Sequence, residues 1–417
     1  MVPRARFPSS LFGTCHPLIS LSTGQILAVG LSSIGGLLVW IMAARQFAPT
    51  EVGRASHLIA LGGLVSTIVA AGLGQYLLAA LPATRQRGVL LIRVMAVGVA
   101  ASLLVPALLG LFLYGESQVL SILLLATIAV TVTITTLQDA LYVFAHSTRD
   151  IAAKAGFITV ARLASLALLV PILGNGIAAY WGLVLLLAIP QMTVSVAWLA
   201  LRTPTLLGIA RVTSPPKPTI RMLAVGYAFA LTAAAVTWGI PAVVTAELEP
   251  ERAALFYTSW VLGSIIGTVP SSLANALVAS APAISVRHVS VVMSVQLLVS
   301  VVLLISLITA APWLSGMFGA NYEAMPSILP AIATGQLAVG VSVVLIAYLR
   351  VAGRPIEAVA ASAALALLGS IVPAIVAAHA GESQFLISFA GGTTAAALLG
   401  GAILIRRLGT AQSSQVG

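Results

Sequence analysis

The sequence predicts an all-α polytopic membrane protein: twelve transmembrane helices in two six-helix lobes related by a parallel internal repeat, with both termini cytoplasmic. Three observations carry that prediction. Of 417 residues, 60% are hydrophobic and 7% charged, against about 25% charged in a soluble domain, and the mean hydropathy is +1.10. The apolar residues gather into twelve runs, each near the roughly 20 residues that one crossing needs. The few charges fall between the runs, with basic and acidic residues on opposite sides.

In order, the runs are 23–44, 55–81, 89–113, 117–145, 155–173, 176–201, 222–246, 253–281, 288–311, 326–349, 356–378 and 383–405. The first is too long for the apolar part of a secretory signal and ends at Arg45, so it reads as a span. Residues 1–22 are then a cytoplasmic N-terminal segment, 23–201 the first six-helix lobe, 202–221 a cytoplasmic linker, 222–405 the second lobe and 406–417 a cytoplasmic tail. The linker is marked by Ser214-Pro215-Pro216-Lys217-Pro218, whose prolines cannot continue a helix.

Charge sets the orientation. With the N-terminus in the cytoplasm, fifteen of the 20 basic residues share its side, Arg45, Arg54 and Arg252 face the other, and Arg93 and Arg162 fall inside spans. Glu51, Glu116, Glu247, Glu249, Glu251, Glu323 and Glu382 all fall outside, leaving Asp150 and Glu357 inside and Asp139 within a span. Basic loops favour the cytoplasmic side. Apposition to an acidic inner leaflet accounts for the net charge of +10 without a nucleic-acid partner. Five of the six tryptophans, Trp40, Trp181, Trp198, Trp238 and Trp313, lie near span ends, where an interfacial belt would place them.

Three pairs of similar residues suggest the repeat: Pro49 with Pro250, Arg149 with Arg354, and Gly176 with Gly381, at offsets of 201, 205 and 205 residues. Six spans per half is an even number, so both halves enter from the same side, which makes the repeats parallel.

Two motifs carry a resemblance. Ala44-Arg45-Gln46-Phe47-Ala48-Pro49-Thr50-Glu51-Val52-Gly53, followed by Gly72-Leu73-Gly74 and Pro82, resembles the opening of polysaccharide-transporter flippases in the multidrug/oligosaccharidyl-lipid/polysaccharide exporter (MOP) superfamily. Met317-Phe318-Gly319-Ala320-Asn321-Tyr322-Glu323-Ala324, with Leu349-Arg350-Val351-Ala352-Gly353-Arg354-Pro355 after the next span, is similar to their second-half pattern. With the span count, the resemblance covers nearly the whole chain and is nearest to O-antigen and exopolysaccharide flippases. It departs from the lipid II flippases, which usually have fourteen spans. The resemblance implies a multi-pass protein of the bacterial cytoplasmic membrane. Such a protein moves a polyprenyl-pyrophosphate-linked oligosaccharide, or a similar cell-envelope glycolipid, from inner to outer leaflet by alternating access. It also implies membrane lipids, a glycan polymerase and glycosyltransferases of the same pathway as partners.

No phosphate-binding Gly-x-x-x-x-Gly-Lys-Ser/Thr loop occurs, so ATP hydrolysis by that device is excluded. The single cysteine, Cys15, excludes an intrachain disulfide framework, and the five histidines show no His-x-x-x-His spacing, so neither a metal site nor a cofactor is expected. The chain reads as a transporter rather than an enzyme.

Ionisable groups at membrane depth are costly and by default suggest function. Asp139 and Arg162 each lie roughly 10 Å inside their spans at 1.5 Å per residue, deep enough to form an ion pair facing the bundle interior. The pair either ties two helices together or works on cargo, with Arg162 meeting a substrate phosphate and Asp139 taking up a coupling proton. Arg93, about 6 Å deep by the same rise, either snorkels to headgroups or meets the pyrophosphate as it enters. Arg45, a basic residue on the disfavoured side, either caps a helix or pairs with Glu51, or joins the same cavity. Arg45, Arg93 and Arg162 are therefore the candidate cationic substrate site, and Asp139 the candidate ion-coupling residue. At the repeat positions of Asp139 and Arg162 stand Val343 and Ala366, so any such site is weighted to the first lobe.

Two other functions compete. A cation-coupled drug or metabolite antiporter of the same superfamily would use Asp139 as its carboxylate. A membrane-embedded glycosyltransferase or polymerase would draw on the acidic turn Glu247-Leu248-Glu249-Pro250-Glu251. A general twelve-span facilitator is disfavoured, because the segment after the second span, Pro82-Ala83-Thr84-Arg85-Gln86-Arg87-Gly88, lacks the expected loop motif.

Overall fold

A computed structural model describes residues 30–81, 84, 86–110, 118–145, 147–173, 180–209, 227–228, 231–232, 234–279, 286–380 and 382–413. Helix α1 spans 30–46. The first half continues with α2 (Pro49–Ala80), α3 (Arg87–Gly110), α4 (Gln118–Phe144), α5 (Thr148–Leu173) and α6 (Tyr180–Ile209). The second half holds α7, a π-helical turn at Ala235–Gly239 leading into Ile240–Glu247, then α8 (Pro250–Ala279), α9 (Val286–Phe318) and α10 (Met325–Val351). Helix α11 runs Pro355–Ala366, passes through a π-helical turn at Leu367–Ile371 and continues over Val372–Ala380, and α12 is Glu382–Ser413.

The all-helical, twelve-helix expectation holds. Among the described residues, nine helices, α2–α6 and α9–α12, are long and apolar enough to cross a membrane. Large apolar side chains such as Ile92, Val119, Leu168, Leu298 and Leu398 point outward, as a lipid-facing surface requires. Helix α8 is more polar, with Thr258, Ser259, Ser264, Thr268 and Ser271 each bonding a carbonyl of its own helix, which suits its inward place between α2 and α10. Helix α6 continues past Arg202 to Ile209, into the stretch expected as linker. Most of that linker, the segment 1–22 and the pair Gly176/Gly381 lie outside the described residues.

Helix pairing repeats with a step of six. In the first half α2 packs on α4, α4 on α6, α3 on α4 and α5 on α6, and in the second half α8 packs on α10, α10 on α12, α9 on α10 and α11 on α12. Pro49 and Pro250 each open the second helix of their half, and Arg149 and Arg354 sit at the starts of α5 and α11. The halves meet chiefly where α2 crosses α8 and α7. Close approach there needs small residues: a Cβ on Gly53 would collide with the Pro250 carbonyl, and one on Gly63 would collide with the Trp238 ring. Within the second half, Gly263 and Gly267, one turn apart on α8, lie against Ile332 and Gln336 of α10.

The turns fall into two ends. The α1–α2, α7–α8 and α9–α10 turns carry Glu51, Glu247, Glu249, Glu251 and Glu323 and form an acidic end. The α2–α3, α4–α5 and α10–α11 turns carry Arg87, Arg149, Arg350 and Arg354 and form a basic end.

Candidate functional site

A cavity of about 710 Å³ lies between the halves. Its walls come from α1, α2, α4, α5 and α6 on one side and α7, α8, α10 and α11 on the other. Aromatic residues dominate one part, with Trp40, Trp238, Tyr257 and Trp260 all lining it. Tyr257 meets Trp40 edge to face, with ring centroids 5.1 Å apart, and Trp260 stacks on Phe256 at 5.9 Å and tilts against Phe389 at 5.2 Å. A backbone device fixes Trp260. Pro241 supplies no N–H to the carbonyl one turn back, that of Thr237, and the Trp260 indole donates to that oxygen at 3.2 Å. The neighbouring π turns are tied to each other, the Ser370 hydroxyl donating to the Ala235 carbonyl at 2.9 Å.

The cavity runs on into a second chamber of about 470 Å³, lined by Thr135, Asp139, Lys154, Ile158 and Thr159, with Arg162, Gln191 and Ser264 common to both. This chamber lies toward the α4–α5 turn and therefore toward the basic end.

The expected ion pair of Asp139 with Arg162 does not form. Asp139 instead pairs with Lys154, whose ammonium also reaches the Thr135 carbonyl at 3.4 Å and lies 5.5 Å from the Tyr142 ring centroid. Arg162 donates to the Leu187 carbonyl at 3.0 Å and to the Gln191 side-chain oxygen. Gln191 in turn donates to the Thr135 hydroxyl at 3.1 Å. The two expected residues are thus joined through Gln191, Thr135 and Lys154 rather than directly. The reason is helix order: α4 and α5 form an antiparallel hairpin, and Asp139 and Lys154 stand about equally far from its turn, whereas Arg162 lies two turns deeper.

Arg162 is the one candidate arginine that lines the cavity. Arg45 reaches across to the other half, where its guanidinium donates to the carbonyls of Gly316 (2.7 Å) and Met317 (2.8 Å). These are the last carbonyls of α9, which have no intrahelical partner and attract a cation. Arg93 lies exposed on α3, on the periphery of the first half. Trp40 is 6% exposed and lines the cavity with Trp238, so neither belongs to an interfacial belt, while Trp313, 67% exposed, fits one. Glu247, Glu249 and Glu251 are exposed in the α7–α8 turn. Among the described residues no three His, Cys, Asp or Glu side chains gather into a metal site.

The acidic end is fastened. Besides Arg45, the Glu51 carboxylate accepts from the Tyr180 backbone N–H, and Gly53 abuts Pro250. His57 Nδ1 lies 3.2 Å from the Thr245 hydroxyl, which donates its own proton to the Pro241 carbonyl. Most of the motif residues sit at helix junctions. Phe318 and Tyr322 are buried against each other at 5.3 Å, Gly319 (φ +115°) and Gly353 (φ +71°) take left-handed turns, and Gly72 leaves room for the ring of Tyr227, whose hydroxyl donates to the Ile68 carbonyl at 2.9 Å.

The sequence matches no family model and no curated protein. Solved structures do match over nearly the full length. A MOP superfamily transporter from Pyrococcus furiosus, described as having a binding pocket of reversed polarity that suggests a different function, aligns with a TM-score of 0.65 at 12% identity. The alignment covers 95% of this chain and 96% of that one. A multidrug-resistance MATE family transporter of the same superfamily aligns in its outward-facing conformation (TM-score 0.62, 12% identity, 96% and 97% covered). An inward-facing MATE transporter also aligns (TM-score 0.61, 13% identity, 95% and 99% covered). The chain has the fold of the MATE transporters of the MOP superfamily.

Proposed function

We propose that this chain is a secondary transporter that exports drug- or metabolite-sized amphipathic molecules by alternating access, with the cavity between its halves as the substrate site. The observation that carries the reading is a cavity of about 710 Å³ between two six-helix halves, extended toward the basic end and fastened at the acidic end. Ligand pockets for drug-sized molecules run about 300–1,000 Å³. Solved structures of this fold described as outward-facing and inward-facing support a two-state cycle. The antiporter reading therefore takes precedence over the lipid-linked oligosaccharide. The second-half motif residues that suggested the glycan lie largely in helix turns, and only the phosphate-compatible Arg162 in the cavity still favours that substrate. Asp139 is the proposed coupling carboxylate, with Lys154 as the counter-charge that its protonation would release.

Locking the acidic end tests the reading. Cys15 is the only cysteine, so a Cys15→Ser background carrying His57→Cys and Thr245→Cys places one new thiol on each half where the native side chains touch. We expect saturable flux in proteoliposomes that stops on disulfide formation and returns on reduction. Flux unchanged in the fully cross-linked protein would sink the proposal.

A further inference from the structure

We propose that the central cavity selects an organic anion carried on an apolar or aromatic body, with Arg162 holding the anionic group. The inference deepens the transporter reading and rests on it only for the word transport; the binding claim stands on the site itself.

The charge balance of the site comes first. Among the described residues lining the two chambers, the charged side chains are Arg162, Lys154 and Asp139. Asp139 and Lys154 are ion-paired and cancel. Arg162 is held only by neutral acceptors, the Leu187 carbonyl and the Gln191 amide oxygen, so its positive charge has no carboxylate against it. A buried charge without a counter-ion is costly, and an arriving anion removes that cost while an arriving cation adds to it. The guanidinium also presents a planar fork of donors suited to carboxylate, sulfonate or phosphate.

The rest of the wall fits the body of such a molecule. Trp40, Tyr257, Trp260 and Trp238 stand in the same cavity as Arg162, with Ile128, Val184 and Val339 around them. Aromatic faces alone would also suit an organic cation. Here, however, Trp260 is already stacked on Phe256, Tyr257 is engaged edge to face with Trp40, and the guanidinium is the cation in residence. The positive charge and the apolar wall together define an amphiphile with one anionic end.

A lipid-borne phosphate and a free organic acid share this chemistry, so the test uses three probes on the purified full chain in detergent, with affinities from titration calorimetry. Naphthalene-2-sulfonate is the free anion, trimethyl(2-naphthyl)ammonium its near-isosteric cation, and farnesyl phosphate the lipid-borne anion. At least one anion is expected to bind tenfold or more tightly than the cation. The tighter anion then identifies the source, and either result supports the proposal. Gln191→Glu, which sets a carboxylate on the guanidinium in nearly the native shape, should erase the preference, and Arg162→Lys should keep most of it. Equal binding of anion and cation, or a preference untouched by Gln191→Glu in a folded protein, overturns the proposal. The measurement involves no flux: anion preference together with flux that survives the cross-link would remove the transporter reading alone.

Discussion

Lys154 buries its side chain to 3% exposure while Asp139, which lines the second chamber, keeps 43% of its own exposed, so the two members of this pair are not equally replaceable. Removing one partner of a buried ion pair costs about 3–5 kcal/mol, because the remaining charge is left unmatched in low dielectric. Asp139→Ala strands the buried ammonium and should fall near the low end of that range, since the Thr135 carbonyl and the Tyr142 ring remain. Lys154→Met strands a carboxylate that water in the chamber can reach, and should cost only about 1 kcal/mol. Melting of the two variants in detergent checks the order, and a larger loss for Lys154→Met would contradict it. The depth of Asp139 and Arg162 was legible in the sequence, because each interrupts an apolar run. Their partners were not. Lys154 sits close enough to Arg149 in sequence to pass for another basic residue at the loop, and only the mirror relation of Asp139 and Lys154 about the α4–α5 turn could have matched them. Gln191 and Trp260 gave no signal at all: a glutamine and a tryptophan in an apolar run become informative only once folding sets them beside Arg162 and the Thr237 carbonyl.

At the scale of the helix, apolar run length is enough to count twelve elements, because a bilayer demands a fixed length with every backbone group bonded internally. It cannot show which helices cross closely, since that depends on single small residues. Gly53 is the sharpest case, because its Cα side lies on the Pro250 carbonyl where α2 meets α8. Gly53→Ala must push the two halves apart there, at a cost of about 1–3 kcal/mol typical of overpacking. Gly156, in α5, has nothing within 4 Å of an added Cβ, so Gly156→Ala should leave stability within about 1 kcal/mol of the parent. Thermal unfolding of both in the same detergent tests the pair, and equal effects would mean that the α2–α8 crossing is not a tight contact in solution. The same crossing explains why Pro49 and Pro250 mark the repeat: both open the second helix of their half, where a proline needs no hydrogen-bond acceptor.

For the whole molecule, the charge of the cargo decides what drives it. With the basic end in the cytoplasm, as the loop charges predict, an anion leaving through the acidic end moves down an inside-negative potential. Each charge then gains about 2.3 kcal/mol per 100 mV, close to fiftyfold in an equilibrium ratio at roughly 1.4 kcal/mol per decade. A simple uniporter of a monovalent anion needs no coupling ion, and proteoliposomes held at 100 mV inside-negative should come to hold it at about one fiftieth of the external concentration. If instead Asp139 exchanges a proton for each anion, as the proposed antiporter would, two charges move per cycle and the internal concentration should fall to about 1/2,500 of the external one at the same voltage with no pH gradient. Asp139→Asn would then convert the second behaviour into the first. Because the ratio is an equilibrium quantity, it does not depend on which way the protein inserts into the vesicle, and it reads the charge moved per cycle directly. A ratio shifted the other way, with the anion accumulating inside, would mean that more than one proton travels with it in the same direction, and would overturn the exchange role proposed for Asp139 in the second chamber near the basic end.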